Sequence, residues 1–458
     1  MPLDLAHALP SGRPRLPSDL SLRPYQEQAI ANWFAASGRG TLKMATGSGK
    51  TITALAIASQ LHQAIDLQVL LIICPYRHLV TQWDRECRRF DLDPILAFES
   101  VHHWQGPLTR RLTAVRSQSL PFLTIITTNA TLMRDRFQWQ LKYLPAKTLI
   151  IGDEVHNLGA PRLETALPRH VGLRLGLSAT PERHFDDEGT DAVLGYFGDV
   201  LQPALSLGDA IKAGALVRYQ YYPLFVPLTS WESEQYAKLT HRIGWALGNE
   251  NRDPDELTAL LVKRSRLIGT ASRKLDILRW MMRSRLNTSH TLFYCSDGCD
   301  SETNTPQIEA VVRLLGRELG FRINTYTAET SVSEREQLRQ QFEAGELQGL
   351  VAIRCLDEGV DIPAIRTAAI LASSSNPRQF VQRRGRILRP HPSKDHATLF
   401  DTIVLPPDLD RDTWEVERNL LKKELKRFLE FAELADNAEE AQQQLRGLQD
   451  KFGLVDSD

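Results

Sequence analysis

The chain has 458 residues, of which 42% are hydrophobic and 24% charged, and its formal net charge is −1. That length implies two or three domains, each able to bury its own core. The near-zero charge excludes binding to polyanions through an overall basic surface, and no apolar run approaches the ~18 residues a transmembrane helix needs.

Residues 1–20, MPLDLAHALPSGRPRLPSDL, are rich in Pro and Ser, lack a basic-then-apolar signal pattern and read as a loose leader. From 21 to 228 short apolar runs alternate with amphipathic ones. Strands are predicted at 41–45, 69–75, 122–128, 148–154 and 173–180, with helices at 25–36, 51–64, 78–90 and 130–143. Such alternation implies parallel βαβ units and a sheet covered on both faces. Residues 229–288 form a polar, helical connector. The alternation then restarts over 289–405, with strands at 291–296, 323–327, 349–353, 367–372 and 397–405 and helices at 307–319, 334–343 and 378–387. Ser333 and Glu336 have capping-box spacing. The fold class is therefore α/β: two tandem parallel-sheet domains, a helical connector and a helical tail over 406–458. In the tail Trp414, Leu421, Leu425, Phe428, Ala432 and Ala435 form one apolar stripe. It reads as a helix packed on one of the domains, with a partner-binding helix as the alternative.

The five cysteines are Cys74, Cys87, Cys295, Cys299 and Cys355, and three of them lie in or beside apolar strand-like runs. That usage fits reduced, buried thiols in a cytoplasmic protein. The Cys295/Cys299 pair lacks a second pair at metal-site spacing and does not read as a zinc site. His102-His103-Trp104 reads as a loop after a strand. Trp33, Trp83 and Trp139 lie in helical patterns and are expected to pack in cores.

The segment MATGSGKT (44–51) follows a predicted strand and opens a helix. It departs from G-x-x-x-x-G-K-[ST] in having Met44 at the first glycine. Gly47 and Gly49 let the backbone approach a phosphate, and the Thr46, Ser48 and helix-start amides attract an anion. Lys50 is suited to β- and γ-phosphates and Thr51 to Mg²⁺. A nucleotide site also needs a metal carboxylate. The strand ending TLIIGDEVH offers Asp153 for Mg²⁺, with Glu154 to orient and deprotonate water. Negative charge developing on the γ-phosphate calls for arginine. QRRGRILRP (382–390) supplies Arg386 and Arg389, three apart and expected on one helix face. Because that segment lies in the second α/β unit, ATP is expected between the domains, opening and closing a cleft as it turns over.

These residues together resemble a superfamily 2 helicase, of the branch that holds XPB and the motor subunits of restriction enzymes. Seven segments recur in order: LRPYQEQAI, ATGSGKT, CPYRHLVTQW, DEVH, LSATP, LDEGVDIP and QRRGRILR. The resemblance spans residues 21–403. It implies two RecA-like domains, ATP and Mg²⁺ as cofactors, and a nucleic-acid partner. Position by position, it implies that Gln26 with Arg23 reads adenine, that Ser178 and Thr180 couple nucleotide state to nucleic-acid state, and that Gly359 and Asp361 lie near the nucleotide. It makes Gln382 the γ-phosphate sensor, Arg386 and Arg389 the arginine fingers, and His156 a partner of Gln382. Pro75 and Arg77, Thr127 and Thr128, Arg354 and Arg378 are the expected strand contacts. Arg354 or Cys355 replaces the Thr or Ser common in many relatives, which weakens the phosphate contact there. Residues 1–20 are too short for a damage-recognition domain, and no nuclease cluster follows 405. A compact motor core is therefore expected, serving a defence, restriction or repair system with nuclease or targeting subunits as partners and no membrane association. DNA is favoured over RNA by analogy of DEVH and GLSATPER with DNA-acting relatives. An RNA helicase and a nucleotide-gated scaffold remain as alternatives.

Overall fold

The computed structural model describes residues 12–454 apart from 184–185, 249–253, 301–302, 328, 354–361, 373–383 and 408–410. The chain divides into two compact units, Met1–Ala210 and Ile211–Asp458.

The first unit holds a seven-stranded sheet in the order β3-β4-β2-β5-β6-β1-β7. Its strands are β1 (Arg39–Met44), β2 (Val69–Cys74), β3 (Pro94–Ala97), β4 (Leu123–Thr128), β5 (Thr148–Asp153), β6 (Leu173–Ser178) and β7 (Val200–Leu205). Every pairing is parallel. β2, β4 and β5 are buried at every residue, which is why they read as unbroken apolar runs rather than alternating ones. Leu71, Ile73, Ile125 and Ile150 pack with Trp104, Phe137 and Phe197 in the core on one face.

The second unit holds a six-stranded parallel sheet, order β10-β11-β9-β12-β13-β8. Its strands are β8 (Arg218–Pro227), β9 (Thr291–Cys295), β10 (Ile323–Tyr326), β11 (Gly349–Ile353), β12 (Thr367–Ile370) and β13 (His396–Leu405). Phe293, Val351 and Ala369 of the sheet meet Leu278 and Leu314 in its core. The connector consists of helices Ser230–Gly248, Pro254–Thr270 and Arg273–Arg283.

Several expectations change. β3, β7 and β8 lie outside the predicted strands. The sequence reading ended the first domain at 228, but β8 pairs residue for residue with β13 in the second sheet, and the units divide after Ala210. Within the expected leader, Gly12 donates from its amide to the Asp91 carbonyl (3.0 Å) and Arg15 to that of Phe90 (2.9 Å), so this stretch lies on the first unit. His102-His103-Trp104 is not a loop: it opens the helix Val101–Arg116, and Trp104 is a core residue set edge-on to Phe137. Trp33 and Trp83 are buried as expected, whereas Trp139 is 56% exposed. The predicted helix at 130–143 is two short ones, Asn129–Leu132 and Asp135–Leu141. The helix from Gln307 passes into a π-helical segment, Arg313–Glu318. The cap of Val332–Glu343 is Ser331, whose hydroxyl accepts from the Glu334 amide (3.3 Å), and Ser333 lies inside that helix.

The tail helix Arg411–Glu433 packs on the second unit. Leu421, Leu425, Phe428, Phe431 and Ala432 are buried, and Tyr221 of β8 stacks on Phe431 with ring centroids 5.2 Å apart. The stripe is thus spent on the chain itself rather than on a partner. Cys74, Cys87 and Cys295 are buried free thiols, and Cys299 is an exposed one. Among the described residues no helix is long and apolar enough to cross a membrane.

Candidate active site

The phosphate-loop segment connects β1 to the helix Lys50–Ile65. Gly47 and Gly49 have φ of 86° and 93°, a region that costs a residue with Cβ energy. At Gly49 a Cβ would also come within 2.7 Å of Gln26 Nε2. The loop is held from outside by its neighbours. The Tyr25 hydroxyl donates to the Ser48 carbonyl (2.6 Å), and Gln26 Nε2 donates to the Gly49 carbonyl (3.3 Å) and to Thr53 Oγ1 (3.2 Å). Gln26 Oε1 accepts from the Arg23 amide at 2.9 Å. Both ends of its amide are engaged within the protein, so Gln26 stands here as a support beneath the loop. Lys50 opens the helix, is buried, and donates from Nζ to the Met44 carbonyl at 3.0 Å.

β5 delivers the acids. Asp153 is 8% exposed, and burial first, then the neighbouring Glu154 charge, raises its pKa to about 6. A cation would reverse that penalty. Both carboxylate oxygens are held: Oδ1 accepts from the Glu154 amide (3.0 Å) and Oδ2 from the Trp83 indole (2.8 Å). Glu154 sits at φ 46°, a strained conformation for a residue with a side chain and one found at functional turns. The 3-10 turn Val155–Gly159 follows.

The residues expected to couple nucleotide and nucleic-acid state come together. His156 is buried, with Nδ1 3.1 Å from Ser178 Oγ and 3.6 Å from Glu154 Oε2. Ser178, at the end of β6, accepts from the Thr180 amide through the same hydroxyl (3.1 Å). Arg183, which sequence reasoning passed over, donates to the His156 carbonyl and pairs with Asp186 at 2.6 Å, pinning the acidic turn from behind. Trp83 was expected only as core; its polar end has a second use. Either residue could have been suspected only from its polar group lying inside an apolar neighbourhood.

The residues fit a Mg²⁺-nucleotide. Among the described residues Thr46 Oγ1 and Thr180 Oγ1 are buried without a hydrogen-bond partner, which is costly unless a ligand supplies one. Among the described residues no group of three or more His, Cys, Asp or Glu could form a protein cage for a metal. Mg²⁺ held by one hydroxyl and one carboxylate, with phosphate and water completing the shell, needs none.

Arg77 is exposed, its side chain 71% accessible and 3.6 Å from Glu99, at the start of the helix Arg77–Arg89. Pro75 precedes it at the end of β2. Thr127 and Thr128 do not present free hydroxyls. Thr127 donates to the Ala97 carbonyl (2.9 Å), and Thr128 caps the Asn129–Leu132 turn, both buried. Any strand contact there falls to backbone.

In the second unit residues 384–387 are helical and Arg386 is buried. Arg389 lies beyond that helix, so the two arginines do not share one helical face as expected. The Arg389 carbonyl accepts from Lys394 Nζ (3.0 Å), and the Leu388 carbonyl accepts from the Val217 amide (2.8 Å). Arg354, Gly359, Asp361, Arg378 and Gln382 lie outside the described residues, and with Gln382 the expected contact to His156.

A phosphate loop, a strand-end acid pair and an arginine segment, carried on two parallel-sheet units, define a tandem RecA-like ATPase. Residues 19–183 match the family described as "Type III restriction enzyme, res subunit", and 273–391 match "Helicase conserved C-terminal domain". The chain is 28% identical over 417 residues to "DNA 3'-5' translocase XPB2" of Sulfurisphaera tokodaii, covering 85% of this chain and 83% of that protein. It is 26% identical to "Putative DNA 3'-5' helicase Rad25" of Haloarcula marismortui, covering 81% of this chain but only 51% of that one. Its fold is that of the Pyrococcus furiosus Hef helicase domain (TM-score 0.53, 17% identity, 84% of this chain and 96% of that one). The type ISP restriction-modification enzyme LlaBIII bound to DNA is also similar (TM-score 0.57, 19% identity, 91% and 30%). Together these matches support a superfamily 2 helicase of the branch of XPB and the restriction motors. The chain is an ATP-dependent enzyme of that kind.

Proposed function

We propose that the chain is an ATP-driven motor on DNA, a helicase or translocase. One observation carries the reading. A largely buried run of contacts leads from Asp153 and Glu154 through His156 and Ser178 to Thr180, joining the acids proposed to face the nucleotide to the segment that in this family answers to nucleic acid. Lys50 pairs with β- and γ-phosphates, and the loop amides of Thr46–Gly49 cradle them. Thr51 and Asp153 hold Mg²⁺, which neutralises charge on the phosphates. Glu154 takes the proton of the attacking water. Gln382, Arg386 and Arg389 supply the γ-phosphate sensor and the guanidinium charge, and Gly359 and Asp361 carry the response within the second unit. Pro75, Arg77, Arg354 and Arg378 grip the strand by its phosphates, a sequence-independent and salt-sensitive contact. DNA, and movement in the 3'-5' sense, is supported by the names of the relatives. A cytoplasmic setting in repair, restriction or defence, with nuclease or targeting subunits, completes the proposal.

The test is ATP hydrolysis by the full chain with single-stranded DNA, duplex DNA and RNA. DNA stimulates turnover well above RNA, and Glu154→Gln abolishes hydrolysis while nucleotide still binds. Equal stimulation by RNA moves the assignment to an RNA helicase. Absence of hydrolysis under all three conditions moves it to a nucleotide-gated scaffold.

A further inference from the structure

The helix Arg77–Arg89 buries Leu79, Val80, Trp83 and Cys87 along one face. That spacing alone makes Trp83 a core residue, and its ring is 1% exposed. Its single polar atom, however, has a specific destination. The indole Nε1–H donates to Asp153 Oδ2 at 2.8 Å across 70 residues of sequence, in a buried setting. The other oxygen, Oδ1, accepts the Glu154 amide at 3.0 Å. A carboxylate at a strand end would otherwise rotate about its Cβ–Cγ bond. Here two donors on opposite oxygens fix its plane. The amide belongs to the acid pair itself, so among the described residues the indole is the side-chain donor that fixes that plane, and it comes from a separate helix.

We infer that Trp83 is a positioning residue for the metal carboxylate: its indole N–H sets the orientation in which Asp153 meets Mg²⁺. This rests on the assignment of Asp153 as the Mg²⁺ residue. The chemistry is that of an outer-shell hydrogen bond. A ligating carboxylate that is itself hydrogen-bonded is held ready for the cation, and loss of such a partner lowers metal affinity by about 10–100-fold where measured. Phenylalanine cannot replace the interaction, because it fills the space without the donor. The helix that carries Trp83 also begins at Arg77, so one rigid element, six residues or roughly 9 Å along its axis, spans a proposed strand contact and the metal carboxylate.

The experiment separates metal affinity from nucleotide affinity in the full chain. A fluorescent ADP analogue is bound in EDTA and then titrated with Mg²⁺, for wild type, Trp83→Phe and Asp153→Asn. Trp83→Phe binds the analogue in EDTA like wild type, while its Mg²⁺ half-saturation rises about tenfold. A second variant carries benzothienylalanine at 83, which keeps the fused ring and lacks the N–H; it gives the same rise even if Trp83→Phe folds poorly. A folded variant of either kind with wild-type Mg²⁺ half-saturation overturns the inference and leaves Trp83 a core residue only. If Asp153→Asn itself leaves the Mg²⁺ titration unchanged, the assignment of Asp153 to the metal has failed instead.

Discussion

Arg384 of the arginine segment is held by the C-terminal helix. Its guanidinium lies 4.5 Å above the Phe431 ring, and Nη1 donates to the Glu430 carbonyl at 3.1 Å. Tyr219 of β8 donates its hydroxyl to the Phe431 carbonyl (2.7 Å), so strand, tail and arginine segment meet on one aromatic ring within the second unit. The tail is therefore part of the scaffold beneath Arg386 and Arg389. Phe431→Ala should destabilise the second unit by about 3–5 kcal/mol, as for other buried aromatics. Equilibrium denaturation read on the second unit measures this; a loss under ~1 kcal/mol removes the tail from that role.

His156 and Ser178 meet in one contact of the proposed coupling chain. His156→Ala should leave ATP binding intact and depress DNA-stimulated turnover, and Ser178→Ala should do the same. Because the two side chains meet at 3.1 Å, the double variant should be little worse than the weaker single one. Additive losses, compared as free energies within ~0.5 kcal/mol, indicate two independent functions.

Arg264 is buried among acids. It donates to Glu424 (2.9 Å) and lies 3.4 Å from Glu417, a fully buried carboxylate that also accepts from Tyr236. The cluster ties both connector helices Ser230–Gly248 and Pro254–Thr270 to the tail. Arg264→Ala strands Glu417 in the interior and should cost about 3–5 kcal/mol. Replacing Arg264 and Glu417 together by Met and Leu should recover much of that. Thermal unfolding of the three forms decides the matter, and a double variant as unstable as Arg264→Ala contradicts it.

Lys274 should give stability an alkaline slope. It is 2% exposed and donates to the Gly269 (3.3 Å) and Leu371 carbonyls. Burial lowers its pKa to about 7 from 10.5, while the charges of Asp401, Glu424 and Glu232 oppose that shift and Arg427 adds to it. Between those two values the unfolded chain binds the proton that the folded chain has lost. Unfolding free energy therefore rises with pH across this window, by up to ~1.4 kcal/mol per unit, and the full penalty of the buried charge persists below it. Lys274→Met should flatten the slope between pH 7 and 10 and stabilise the protein more at pH 7 than at pH 10. Parallel pH curves for the two proteins contradict the assignment.

The sequence by itself determined the two α/β units and the devices made by neighbouring residues. The phosphate loop is one, since its two positive-φ glycines, its lysine and its helix start are contiguous. The acid pair at the end of β5 is another, because an apolar run that stops at two carboxylates states its own burial and its exit. Only the tertiary structure decided what depends on distant partners. β8 belongs to the second sheet because its backbone pairs with β13, and a strand pattern reads the same whichever sheet receives it. Trp104 became core once Val101–Arg116 formed a helix against Phe137. Thr127 and Thr128 turned inward because β4 is buried on both faces. Trp83 met Asp153, and Arg384 met Phe431, across gaps that local periodicity cannot span. Local pattern fixes which faces are apolar; the direction of a single polar atom is set only when another element closes over it.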